Sequence, residues 1–100
     1  MKVTVQTPNF TAKEELLVFV ENKLSKLEQF YDRINCADVF LKVLQTSGKE
    51  NKSVEILLSI PGDDIMVKKE AKTYEEATDE NIKVLERQLK KRKEKQKAYL

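Results

Sequence analysis

Val54-Glu-Ile-Leu-Leu-Ser-Ile-Pro-Gly-Asp-Asp-Ile-Met-Val67 is the stretch that decides the fold. Val54, Ile56, Leu58 and Ile60 fall on one side of an extended chain and Glu55, Leu57 and Ser59 on the other, the period of two that marks a half-buried strand. Pro61-Gly62-Asp63-Asp64 then reverses the chain, because Pro presets φ for the turn and Gly accepts the positive φ that follows. Ile65 and Val67 resume the alternation, and Lys69 and Ala71 extend it. Residues 52–60 and 64–71 therefore form a hairpin, and its apolar face needs a second layer to cover it.

Working outward, Val39, Leu41 and Val43 alternate with Phe40, Lys42 and Leu44 in a strand over 38–46, joined to the hairpin by the polar turn Ser47-Gly48-Lys49-Glu50-Asn51. Asp32 to Ala37 reads as a connector. Lys2-Val-Thr-Val-Gln6 alternates in the same way and ends at Pro8-Asn9. The covering layer comes from two helical patterns. Over 11–31, Leu16, Val20, Leu24, Leu27 and Tyr31 form one stripe at helical period, opened by Thr11-Ala-Lys-Glu14 in the pattern of a capping box. Over 74–97, Tyr74, Thr78, Ile82, Leu85 and Leu89 form another, opened by Thr73-Tyr-Glu-Glu76. The order gives an α+β sandwich, β-α-β-β-β-α, with a four-stranded mixed sheet and two helices on one face. Strands 2–6 and 38–46, joined through a helix, can lie parallel.

One domain over 1–100 accounts for a chain that is 40% hydrophobic and 36% charged, with two Gly and two Pro. There is no His, so the commonest general base and metal ligand is missing. Cys36 stands alone and reads as structural. No GxGxxG, P-loop or GxSxG motif is present, so no cofactor, metal, small-molecule substrate or catalytic activity is expected. The opening MKVTVQTPNF lacks the apolar run of a signal peptide or membrane span, which places the chain in the cytoplasm.

The net charge of +2 conceals a segregation. Residues 83–97 hold eight Lys or Arg against two Glu, a net +6, which leaves −4 on all other positions. Lys and Arg at a helix C-terminus are favoured by its dipole at roughly 0.3 to 1 kcal/mol each, but only within the last turn. Asp79 is spaced to meet Lys83, and Glu86 to meet Lys90; most of the other cations have no acid at helical spacing. Like charges stack instead at Arg87/Lys91, Arg87/Lys90, Lys90/Lys93 and Lys91/Lys95. The apolar stripe stops at Leu89, so the helix runs past its core, and Lys83, Arg87, Lys90 and Lys91 fall on the face opposite the stripe. Such a patch matches a polyanion. Lys23, Lys26 and Arg33, at and beyond the first helix, can join it if the helices lie side by side. No base-reading motif accompanies it, which favours recognition by shape and phosphate.

The run Lys26-Leu-Glu-Gln-Phe-Tyr-Asp-Arg-Ile34, with Leu41-Lys-Val43, Arg87-Gln-Leu89 and the Lys/Arg-rich helix end, resembles the ribosome hibernation promoting factor family, known too as ribosome-associated inhibitor or sigma-factor modulation proteins. The resemblance spans essentially the whole chain. It implies a fold related to double-stranded RNA-binding domains, and a non-enzymatic factor that binds small-subunit rRNA in the mRNA/tRNA channel and inhibits translation in stationary phase or starvation. The partners so implied are the small ribosomal subunit and the complete ribosome, with no membrane and a monomer in solution. The family's basic positions fall on Lys23, Lys26, Arg33, Lys42, Arg87, Lys91, Lys93 and Lys95, with Lys90 and Arg92 extending the patch. Departures are Thr73-Tyr74-Glu75, where the family's aromatic sits one residue later, and Val84, where Lys83 is the nearest cation. Against the long members of that family, the sequence ending at Leu100 is expected to lack their dimerising C-terminal domain.

Two other readings stand beside this one. A protein-binding adaptor would use the outer sheet face, with Phe40, Leu44, Leu57 and Met66 pointing away from the helices. A general double-stranded RNA-binding module would share the charge pattern without the ribosome.

Overall fold

The structure, a computed structural model, describes residues 1–45, 48 and 51–98, with the side chains of the last helix described through Lys95. Thr46, at the expected end of strand 38–46, and Ser47, Lys49 and Glu50 of the following turn lie outside the described residues. The elements run β1 (Lys2–Gln6), α1 (Glu14–Ser25), a 3-10 helix (Lys26–Gln29), β2 (Cys36–Val43), β3 (Lys52–Ile60), β4 (Asp63–Ala71) and α2 (Tyr74–Ala98).

The four strands form one sheet in the order β1-β2-β3-β4, with β1 parallel to β2 and the other two pairings antiparallel. The hairpin is the tight one its sequence implies. Ile60 faces Asp63 across the turn, leaving Pro61 and Gly62 as its central residues, and Gly62 takes φ +80°. Pro before a positive-φ Gly is the order of a type II turn.

Val39, Leu41, Val54, Ile56, Leu58, Ile60, Ile65 and Val67 line the inner face of the sheet and are buried. Val20, Leu24 and Leu27 from the first helical layer, and Ile82, Leu85 and Leu89 from α2, cover them. Each such side chain contributes about 1.5 to 3 kcal/mol on leaving water, so the two stripes suffice to dock the helices. Asn81 adds a polar pin: its amide donates to the carbonyl of Val54 on β3 at 2.9 Å and to that of Ala77 at 3.0 Å.

The first helix differs from its expected span of 11–31. It starts at Glu14 with Lys13 as an extended N-cap that has no side-chain capping bond, so Thr11 does not cap it. The preceding residues are committed elsewhere. Asn9 donates its amide to the carbonyl of Val43 at 2.9 Å and accepts the amide of Val43 at 3.2 Å, standing in for a strand partner beyond the end of β1. Phe10 stacks on Tyr74 with ring centroids 4.9 Å apart. At the other end Ser25 turns its hydroxyl back to the carbonyl of Asn22 at 2.8 Å, and the chain tightens into the 3-10 helix. At Thr73 the capping bond does form, with the amide of Glu76 donating to its hydroxyl at 3.1 Å.

β1, β2 and β4 point one way and β3 the other. Each helix follows a strand of the majority direction and returns across the same face, so α1 and α2 run parallel, as the contacts Lys23 to Asp79 and Phe30 to Lys90 confirm. Both N-termini, with Glu14, Glu15, Glu75 and Glu76 in their first turns, lie at one pole. The C-termini lie at the other, beside the Pro61–Gly62 turn.

Candidate nucleic-acid interface

Among the described residues of α2, Leu89 is the last that the core buries. Helix continues to Ala98, an overhang of about 14 Å at 1.5 Å per residue. The molecule is elongated, 50 Å along its long axis and 24 by 19 Å across.

Lys83, Arg87, Lys90 and Lys91 are all exposed on the side of α2 away from the sheet, and Lys93 and Lys95 are exposed on the overhang. Among the described residues none of these six makes an ion pair; the acids spaced for them are turned elsewhere or left unused. Asp79 pairs with Lys23 across the helix interface at 3.1 Å instead of with Lys83. Lys90 has its ammonium 4.9 Å from the ring centroid of Phe30, just past the 3-10 helix, a cation–π contact that leaves its charge uncancelled. Parallel helices also place two negative dipole ends at this pole, which favours cations there.

The remaining candidates divide. Lys26 is exposed on the 3-10 helix, and Arg33 is exposed in the connector to β2, where it and Lys93 line one open hollow of about 270 Å³ with Glu28 and Asp32. These two join the α2 cations at the same pole. Lys23 is half-buried, paired with Asp79 and 5.4 Å from the ring centroid of Phe19, so its charge is largely committed inside the protein. Arg92 is half-buried and pairs with Asp63 at the start of β4. The hydrogen bond from Arg92, with help from the amide of Asp64 and the guanidinium charge, holds the Asp63 carboxyl below the usual carboxylate range. Lys42 is exposed on the outer face of the sheet, opposite Ser53, with the whole sheet between it and the helices.

Phe30 and Asp63, and the pairing of Asp79 with Lys23, are what the charge pattern did not reveal. Phe30 stood inside the quoted Lys26–Ile34 run, but only as part of a resemblance. Asp63 read as a turn residue.

On the outer sheet face Phe40 and Leu57 are half-buried and Met66 is exposed, while Leu44 lies past the end of β2. Asp38 and Glu55 stand between them in the ladder, so no broad apolar surface forms there. No helix among the described residues is long and apolar enough to cross a membrane.

Comparison with known proteins places the chain in a family. Residues 3–97 match the family model described as Sigma 54 modulation protein / S30EA ribosomal protein. The chain is 35% identical over 99 residues to a ribosome hibernation promoting factor of Escherichia coli strain K12, covering 99% of this chain and 100% of that one. It is 33% identical over 100 residues to one of Pseudomonas putida, covering 100% and 94% respectively. Among solved structures, the N-terminal domain of Thermus thermophilus Protein Y superposes with a TM-score of 0.78 at 27% identity, covering 91% of this chain and 98% of that one. The chain belongs to the Sigma 54 modulation protein / S30EA ribosomal protein family, whose relatives here carry the name ribosome hibernation promoting factor.

Proposed function

We propose that this protein is a ribosome hibernation factor. It lays the helix face and overhang of α2, together with Lys26 and Arg33, on the rRNA of the small subunit. Occupying the mRNA/tRNA channel, it blocks translation in stationary phase or starvation, and it does so by occupancy and not by catalysis. It works in the cytoplasm on small subunits and complete ribosomes, and kinship with double-stranded RNA-binding domains belongs to the same reading.

The observation that carries the proposal is the set of exposed cations Lys83, Arg87, Lys90, Lys91, Lys93 and Lys95, none in an ion pair among the described residues. A soluble helix has no internal use for them. Phosphates replace the missing acids, and releasing their counterions supplies the driving force, so affinity falls steeply with salt. Names of the relatives supply the ribosome as the source of that RNA.

Co-sedimentation with small subunits at low and moderate salt tests it. With about six phosphates engaged, affinity drops by orders of magnitude over that range. Changing Arg87, Lys91, Lys93 and Lys95 to Glu abolishes binding while the melting curve is preserved; undiminished binding by that variant refutes the surface.

A further inference from the structure

The open hollow of about 270 Å³ beyond the 3-10 helix mixes both signs of charge with an aromatic wall: Glu28, Phe30, Tyr31, Asp32, Arg33 and Lys93 line it. The four charged residues are exposed, Phe30 is half-buried and Tyr31 is buried. Among the described residues Asp32, Arg33 and Lys93 make no ion pair although they border one space, and Glu28 meets the N-terminal ammonium at 3.8 Å. We infer that this hollow takes one unstacked guanine of the bound RNA. The Asp32 carboxylate reads its Watson–Crick edge, and Arg33 and Lys93 hold the phosphates beside it. The inference rests on the rRNA reading above and adds a base contact to it.

Charge excludes the simpler occupant. A phosphate drawn inside by Arg33 and Lys93 would face the carboxylates of Asp32 and Glu28, anion against anion, so phosphates belong at the rim. What suits the inside is a neutral, flat group that donates hydrogen bonds, because an ionised carboxylate only accepts them. An unpaired base joined to its own phosphate meets both requirements. Such bases are the parts of RNA that proteins read by their edges, with an aromatic ring to lie against, and Phe30 supplies the ring. The ammonium of Lys90, 4.9 Å from the centroid of that ring, adds a further cation next to the hollow.

Guanine follows from the order of donors. Its Watson–Crick edge carries two adjacent ones, N1–H and the N2 amino group, which match the two oxygens of a single carboxylate. Adenine and cytosine set a ring-nitrogen acceptor beside their amino group, and uracil flanks its N–H with carbonyl oxygens, so each turns an acceptor toward the acid. Of the two carboxylates Asp32 is the reader, since Glu28 is drawn to the N-terminus.

Kethoxal probing of small subunits tests it, because that reagent attacks N1 and N2 of unpaired guanines. The unaltered protein protects one such guanine. Asp32→Ala, which keeps its melting curve and still co-sediments, leaves that guanine reactive. Replacing the guanine by adenine in reconstituted subunits lowers the affinity of the unaltered protein by about tenfold, the discrimination of one bidentate pair, and leaves that of Asp32→Ala unaltered. Protection that survives Asp32→Ala, no protected guanine under a protein that co-sediments, or equal losses from adenine in both proteins overturns the assignment while the rRNA reading stands. Failure to co-sediment at all refutes that reading and this assignment with it.

Discussion

Arg92, on the part of α2 that overhangs the sheet, bonds through its guanidinium to the carboxylate of Asp63 at the first position of β4. The pair ties the root of the overhang to the hairpin turn from the side opposite Lys90 and Phe30. Arg92 is therefore a strut before it is a contact.

Asp63→Asn removes the strut's anchor. Amide exchange around residues 90–95 speeds up in the variant, while the core amides of β3 keep their protection. With Arg92 released, the slope of log affinity against log salt for rRNA steepens by about 0.9, the worth of one more phosphate contact.

The pH dependence of that tether has a definite sign. Hydrogen bonding to Arg92 lowers the folded carboxyl's pKa, so the stabilisation is present above the unfolded carboxylate value of about 3.9 and is lost as pH falls through the lower folded one. Exchange at the helix end is thus unchanged between neutral pH and about 4, once corrected for the intrinsic rate, and rises below it. In Asp63→Asn this step is missing.

Asn9→Ala leaves the amide and carbonyl of Val43 without their partner at the edge of β2. Two partly solvated hydrogen bonds are lost, and urea unfolding shows a decrease of about 1 to 2 kcal/mol. RNA affinity is unchanged, because the site lies at the acidic pole.

Thr78 and Asn81 are both fully buried on α2, yet substitution separates them. The hydroxyl of Thr78 has no hydrogen-bond partner among the described residues, whereas the amide of Asn81 has two. Thr78→Val therefore raises stability by up to about 1 kcal/mol, and Asn81→Leu lowers it by about 2 to 3 kcal/mol, read from the same urea midpoints.

Lys42 and Arg87 test which face meets RNA. Arg87→Gln lowers the salt slope by about 0.9, and Lys42→Gln leaves it unaltered, since Lys42 sits behind the sheet. Equal losses from both variants mean that the outer sheet face also touches RNA.

The strands and both helical stripes were legible because alternation and the 3.6-residue period are local records of one large interior. Val54 to Ile60 and Leu85 to Leu89 carry that record without ambiguity. The start of α1 was not legible: Thr11 has the local signature of a cap, but Asn9 and Phe10 are held by Val43 and Tyr74, residues 34 and 64 positions away. The patch of α2 was readable as unpaired because residues 83–97 hold only two acids against eight cations. Its exceptions came from outside that helix. Asp79, spaced for Lys83, turned to Lys23 on α1, and Arg92 found Asp63 on another strand, contacts that one helix's spacing cannot report.

Because α1 and α2 run parallel, the acids of both first turns and the cations of both ends lie at opposite poles of one elongated body. In the field of a polyanion that separation acts as a lever. Within about one Debye length, roughly 8 Å at physiological salt, one pole is drawn in while the other is pushed away, and the molecule experiences a torque before any side chain touches a phosphate. A body so divided meets any polyanion already turned, overhang first, so fewer encounters are spent on the wrong face.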